Sequence, residues 1–305
     1  MRIVYFGTPA TAVPPLEALV AAGHDVAMVV TQPDRKRGRG GSLVPSPVRR
    51  AAERLGLRTL TPLRASEVLD DVVALDAELG VVVAFGQLLP ASLLAAAERG
   101  FVNVHFSLLP RWRGAAPVER AILAGDAETG VAIMGMEAGL DTGPVFSQRR
   151  LRIGEQTAGE LTNELVDLGT TLLVATLADF DAMVGEPQVG EPTYAAKLTV
   201  DEFRLRADRP ATELAAIVRA GNPRPGAWCT IDGVRHKVGR AALRVPPATD
   251  GPEPGVIDEH AVLGTVQGSL QLLEIQPEGK PMMEATAWRN GRRGRVQLDS
   301  VEEAT

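Results

Sequence analysis

The sequence predicts an α/β fold: a doubly wound, mostly parallel sheet covered by helices, followed by a small β-barrel domain. Three observations predict it. Near-continuous apolar runs alternate with segments of helical spacing along the first 150 residues, the pattern of strands buried on both faces. After residue 182 this gives way to a Gly/Pro-rich stretch, Gly185-Glu-Pro-Gln-Val-Gly-Glu-Pro192, which punctuates a chain strongly. From residue 226 the segments are short and β-like, with turn signals at Asp232-Gly233 and Asp250-Gly-Pro252, as in a small barrel or sandwich. A length of 305 residues suits two domains. We divide it into residues 1–184, a linker over 185–208, and a second domain over 209–305.

Each element follows from local pattern. Ile3–Phe6 is a strand ended by Gly7-Thr8-Pro9. Residues 11–22 have helical spacing, with Pro14 and Pro15 tolerable only in a first turn. Val26–Thr31 is the second strand, and residues 47–55 and 66–77 are helical. Val81–Phe85 is a third strand ended by Gly86, residues 91–98 a short helix, and Phe101–His105 the next strand. Residues 117–124 read as helix, Gly130–Met136 and 145–153 as strands. Residues 157–180 form a long helix with Leu161, Leu165, Leu168, Leu172 and Leu173 on one face. A helix over 211–220 is ended by Gly221-Asn222-Pro223.

Composition excludes several classes. Hydrophobic residues make up 45% and charged residues 23% of the chain, as in soluble globular proteins. Cys229 is the one cysteine, so no intramolecular disulfide forms, and the four histidines show no metal-ligand spacing. No metal is expected. The N-terminal Met-Arg-Ile-Val-Tyr-Phe-Gly reads as a strand rather than a signal peptide, and no apolar run reaches membrane-spanning length. A monomer in a reducing cytoplasm is expected, with no membrane partner. The net charge of −6 argues against a uniformly basic coat, yet residues 31–50 hold six Arg or Lys against one Asp.

In open sheets of this kind, ligands bind outside the carboxyl ends of the strands. Three strand ends carry distinctive residues: Gly7-Thr8-Pro9, Phe85-Gly86-Gln87 and Asn103 through Pro110. No G-x-G-x-x-G follows the first strand, and Gly38-Arg-Gly-Gly41 lacks the closing Lys-Ser/Thr of a P-loop. Asn103 and His105 lie two apart on a strand, so their side chains share a face. With Asp141-Thr-Gly143 they supply a carboxamide, an imidazole and a carboxylate. Such a set can polarise a carbonyl, move a proton and orient the group that moves it.

Asn103-Val-His105, Ser107-Leu-Leu-Pro110 and Gly139-Leu-Asp141-Thr-Gly143 resemble the signature of the folate-dependent formyltransferases, and the resemblance is close to those acting on methionyl initiator tRNA. The resemblance covers nearly the whole chain. It implies that Asn103, His105 and Asp141 are catalytic and that 10-formyltetrahydrofolate is the formyl donor. It also implies that the second domain is an oligonucleotide-binding-type barrel that meets tRNA. Phe85, Gly86, Gln87, Leu88, Ser107, Leu108, Leu109 and Pro110 would line the folate site, with Gly114 and Gly139 permitting close backbone approach.

Residues 31–47 are basic and Gly-rich. They resemble the tRNA-contacting insertion of this family, which implies that Arg35, Lys36, Arg37 and especially Arg39 meet the acceptor stem. We expect residues 31–45 to be unstructured without RNA. Tyr194-Ala-Ala-Lys197 and Gly221-Asn-Pro-Arg-Pro-Gly-Ala-Trp228 are also family-like. Two departures are Gly221, where an aromatic often stands, and the single basic residue of Lys280-Pro-Met-Met283. Formyl transfer to a small ribonucleotide or an amino sugar, folate hydrolysis, and tRNA binding without turnover are the alternatives. The basic stretch and second domain oppose the first three, and the intact Asn103, His105 and Asp141 oppose the last.

Overall fold

The computed structural model describes residues 1–37, 41–244 and 251–299, without the side chain of Arg37. The chain forms two compact units. The first holds residues 1–117, 128–152 and 162–195; the second holds residues 118–127, 153–161 and 196 onward.

The first unit contains β1 (Arg2–Gly7), β2 (Asp25–Val30), β3 (Arg35–Arg37), β4 (Ser42–Val44), β5 (Thr59–Leu60), β6 (Leu79–Val83), β7 (Phe101–His105), β8 (Arg113–Gly114), β9 (Glu128–Gly135), β10 (Val145–Arg152) and β11 (Tyr194–Ala195). Seven of these build one sheet in the order β10-β9-β7-β6-β1-β2-β5. Strands β5, β2, β1, β6 and β7 run parallel; β9 pairs antiparallel to β7, and β10 antiparallel to β9. The order reverses direction between β1 and β6, the switch point beside which ligands bind in such sheets.

Two close approaches shape the sheet. A Cβ on Gly80 would lie 2.2 Å from the Phe101 ring, so only glycine lets that ring lie across β6. A Cβ on Gly169, within the long helix Ala158–Ala178, would lie 3.0 and 3.1 Å from Val131 and Val104. The helix therefore covers the Val104 face of the sheet. Asn103 and His105 point to the opposite face, with Phe6, Val82 and Phe101. That face is packed by Ala65, Val68, Val72, Leu89 and Leu93, and this cover ends short of the strand termini.

The elements differ from the sequence reading in several places, among them the short helix expected over 91–98, which ends at Leu94. The third strand ends at Val83 rather than Phe85, because Ala84 adopts φ 46° and Gly86 φ 82°. The helix expected over 66–77 is a 3-10 turn, Ala65–Val68, followed by Leu69–Ala74. The arms of the basic stretch pair as an antiparallel hairpin, Arg35 with Val44 and Arg37 with Ser42, where no regular structure was expected. Its neck is closed by a 2.7 Å bond between the Thr31 and Ser46 hydroxyls. Finally, residues 186–195 are no free linker. Glu186 pairs with Val145, and β11 pairs with β8 in parallel.

The second unit contains β12 (Ala227–Ile231), β13 (Val234–Leu243), β14 (Val256–Ile257), β15 (Val262–Gly264), β16 (Ser269–Pro277), β17 (Met283–Glu284) and β18 (Val296–Gln297). They form a curled antiparallel sheet in the order β12-β13-β16-β15-β14-β18, with β17 on β16. Asp299, just past β18, returns to β12: its N–H donates to Thr230 O at 2.8 Å. Alternation along β12 turns Ala227, Cys229 and Ile231 inward and Trp228 and Thr230 outward. Burial pushes the Cys229 thiol up to about 12 and the His236 imidazole below its ordinary value.

Candidate active site

A cavity of about 1070 Å³ lies over the carboxyl ends of β6 and β7, where the helical cover of the sheet runs out. Its floor holds Val82, Asn103 and His105, and its rim Phe85–Pro90, Gly114 and Met136–Asp141. A smaller cavity of about 260 Å³ adjoins it, sharing Ala84–Gly86 and adding Thr8, Gln32, Arg35 and Ser46. The Phe85 carbonyl marks the junction, accepting from Thr8 Oγ1 and Gln32 Nε2, each at 2.9 Å.

Asn103, His105 and Asp141 all line the larger cavity. His105 is 5% exposed, with Nε2 2.9 Å from the Trp112 carbonyl and Nδ1 3.6 Å from Asp141 Oδ2. The same Oδ2 accepts the Gly114 N–H at 2.8 Å. Asp141 adopts φ 52°, a conformation that non-glycine residues hold only when the surroundings fix it. The Asn103 carboxamide is half-buried and takes no partner among the described residues. It is left free to bond whatever enters.

The other expected residues divide into two groups. Phe85, Gly86, Gln87, Leu88, Gly114 and Gly139 line the cavity, although the Phe85 side chain packs edge-on against Phe6 at 5.2 Å. Gly114 has φ 120°, and a Cβ there would lie 2.8 Å from Ala195 O. Ser107, Leu108, Leu109 and Pro110, expected in the lining, are not part of it. The Ser107 hydroxyl is fully buried and bonds Arg111 O at 2.6 Å, closing the turn. Leu108 lies over Gly130, and Leu109 is packed with Ala132 and Met134. These four shape the loop that delivers Trp112 and Gly114; Leu109 is buried in the core, while Leu108 and Pro110 are half-buried.

Of the basic stretch, Arg35 and Lys36 are exposed on β3, and the Arg35 guanidinium bonds the Gln32 carboxamide. Arg37 contributes backbone to the hairpin. Arg39 lies outside the described residues.

Sequence reading missed Gln188. Its Nε2 donates to the carbonyls of Asp141 and Gly143, both at 2.8 Å, and its Oε1 accepts from Arg113 Nε and a terminal Arg113 nitrogen at 3.0 and 2.7 Å. Nothing local marks it, because its partners lie 45 to 75 residues away.

A different cluster stands on the outer face of the second unit. Trp228 sits between Lys237, its cross-strand partner, and Arg204, its bridge partner. The guanidinium carbons of Arg204 and Arg235 lie 5.1 and 4.1 Å from the indole centroid. Arg206, Arg209 and Arg240 are paired with Asp208, Glu213 and Glu160. Arg204, Arg235 and Lys237 have no carboxylate partner among the described residues.

Residues 1–177 match the family model for formyl transferase, and residues 197–293 match that for the formyl transferase C-terminal domain. The chain belongs to the formyl transferase family. A methionyl-tRNA formyltransferase of Clavibacter sepedonicus is 44% identical over 299 residues, 95% of this chain and 97% of that protein. One from Dinoroseobacter shibae is 47% identical over 304 residues, 98% of this chain and 100% of that protein. Among solved structures, an N-formyltransferase from Helicobacter canadensis, determined with folinic acid and dTDP-3-aminofucose, superposes with a TM-score of 0.69 at 17% identity, covering 91% of this chain and 99% of that one. HypX from Aquifex aeolicus gives 0.67 at 14% identity over 94% of this chain, which spans 46% of the HypX chain. These two share the formyl transferase fold.

Proposed function

We propose that this formyl transferase moves the formyl group of 10-formyltetrahydrofolate to the amino group of methionyl initiator tRNA, in the cytoplasm, for translation initiation. The observation that carries the reading is the convergence of Asn103, His105 and Asp141 in one large cavity, in a chain alike over its full length to proteins of that name.

The cavity suits a folate. Its volume stands at the upper end of the roughly 300–1,000 Å³ usual for small-molecule sites. Val82, Leu88, Leu89, Met136 and Leu140 offer apolar walls, and the turns at Ala84–Gln87 and Gly139–Asp141 bring main-chain groups to its edge. The acceptor amine forms a bond to the formyl carbon, and the bond from that carbon to the folate nitrogen breaks. The Asn103 N–H donates to the oxyanion that develops between these events. His105 carries the proton from the attacking amine to the departing nitrogen, and Asp141 stabilises the imidazolium meanwhile. Phosphates of the RNA meet the basic residues Arg35, Lys36, Arg37 and Arg39, and the Arg204, Arg235 and Lys237 cluster.

The test is formylation of charged initiator tRNA by the purified protein with 10-formyltetrahydrofolate. Formyl-methionyl-tRNA from the wild type, with His105→Ala and Arg39→Ala both impaired, is the expected result. Intact folate binding without product would overturn the RNA acceptor and direct the search to small amines.

A further inference from the structure

Gln188 stands in an exposed strap: Pro187 and Val189 face solvent, while Gln188 is half-buried. The strap is held on both sides. Glu186 and Val145 exchange backbone bonds at 2.8 and 2.9 Å. The Thr193 carbonyl accepts from Arg113 N, and the Thr193 hydroxyl from Trp112 N, each at 2.9 Å. Between these anchors, Gln188 is aimed at the turn that carries Asp141.

We propose that Gln188 is the positioning residue of Asp141, and through it of His105. The proposal rests on the reading of Asn103, His105 and Asp141 as the catalytic group. Asp141 is gripped at two points. Its carboxylate accepts from Gly114 N–H, and its carbonyl accepts from Gln188, which is itself held by Arg113. The preceding residue, Trp112, offers its carbonyl to His105. Three consecutive residues therefore govern the site: Trp112 for the imidazole, Arg113 through Gln188 for the Asp141 backbone, and Gly114 for the carboxylate.

The chemistry calls for a carboxamide. Arg113 can only donate, and the carbonyls of Asp141 and Gly143 can only accept. One side chain must accept at one end and donate twice at the other, which fixes the amide orientation. A carboxylate at this position would satisfy Arg113 but face two carbonyls, and a thioether would satisfy neither. Without Gln188, the turn loses the contacts that hold Asp141 at positive φ, and the carboxylate drifts from His105.

The experiment compares wild type, Gln188→Met and Gln188→Glu. Both variants should lose about 10- to 100-fold in kcat, as for a misplacement of about 1 Å, with KM for 10-formyltetrahydrofolate within about twofold. Amide exchange at Gly114, whose N–H seats on Asp141, should quicken by at least about tenfold, with β1 and β6 amides still protected. Unchanged kcat with unchanged Gly114 exchange would overturn the proposal. So would loss of protection throughout the sheet, which marks a residue of general structural importance. If Gln188→Met fails to fold, Gln188→Glu, which keeps the Arg113 contact, decides alone. A wild type that makes no formyl-methionyl-tRNA would sink the functional reading, while Gly114 exchange would still judge the positioning.

Discussion

Asn103 differs from its two neighbours in the site. His105 and Asp141 are each held by the protein, through the Trp112 carbonyl and the Gly114 N–H. Asn103 spends nothing on the fold, so its removal should act on turnover rather than stability. Asn103→Ala is expected to lower kcat by about 10²- to 10³-fold, the loss of one oxyanion donor, with KM changed less than about twofold. Steady-state kinetics beside urea unfolding checks this; a risen KM with intact kcat would assign Asn103 to ground-state binding. Asn103 and His105 were legible in the sequence because strand alternation alone puts them on one face. Asp141 was legible only through its motif, since a left-handed aspartate has no local signature beyond a nearby glycine. Gln188 was not legible at all, because its role arises from loops that meet only after the sheet has formed. The misplacement of Ser107–Pro110 has a related cause. Apolar residues beside a motif look the same whether they line a cavity or pack beneath its loop.

At the level of elements, the long apolar runs announced the strands, and β1, β2, β7, β9 and β10 lie within two residues of their expected bounds. Elements of two or three residues, β3, β4, β5, β8 and β11, escaped because no periodicity can be read over such lengths. Position 80 shows what a run of hydrophobicity conceals. Gly80 pairs with Phe101 in the parallel register, and the Phe101 ring covers its α-carbon before meeting Phe6 at 5.6 Å. A methyl group there must push a packed ring off the strand. Gly80→Ala should destabilise the first unit by about 1–3 kcal/mol, the usual cost of overpacking, despite alanine's better backbone propensity. Urea denaturation followed by circular dichroism measures it, and a neutral or stabilising result would mean that the Phe101 ring turns freely aside.

For the molecule as a whole, the distribution of charge matters more than its sum. The chain carries −6, yet residues 197–244 hold ten Lys and Arg against five Asp and Glu. Within that stretch, Arg206, Arg209 and Arg240 are engaged by carboxylates, whereas Arg204, Arg235 and Lys237 around Trp228 have no carboxylate partner among the described residues. An indole that holds two guanidiniums reduces the rotamer freedom they would lose on meeting phosphate. On the proposed function, this cluster is where a polyanion would be drawn, while the acidic remainder would oppose indiscriminate binding. Counterion release turns this into a measurable slope. Each phosphate neutralised on duplex RNA should contribute about −0.9 to the dependence of log affinity on log salt, taking the B-DNA value as guide. Lys237→Gln should weaken initiator tRNA binding and flatten that slope by about 1, with elongator tRNA affected equally, because phosphates carry no sequence. Arg235→Gln should do the same. Arg209→Gln, whose charge is already engaged by Glu213, should leave the slope near wild type. Titrations at four or five salt concentrations separate these cases. If Lys237→Gln and Arg235→Gln both keep the wild-type slope, the cluster serves the barrel alone and the RNA contacts must be sought elsewhere.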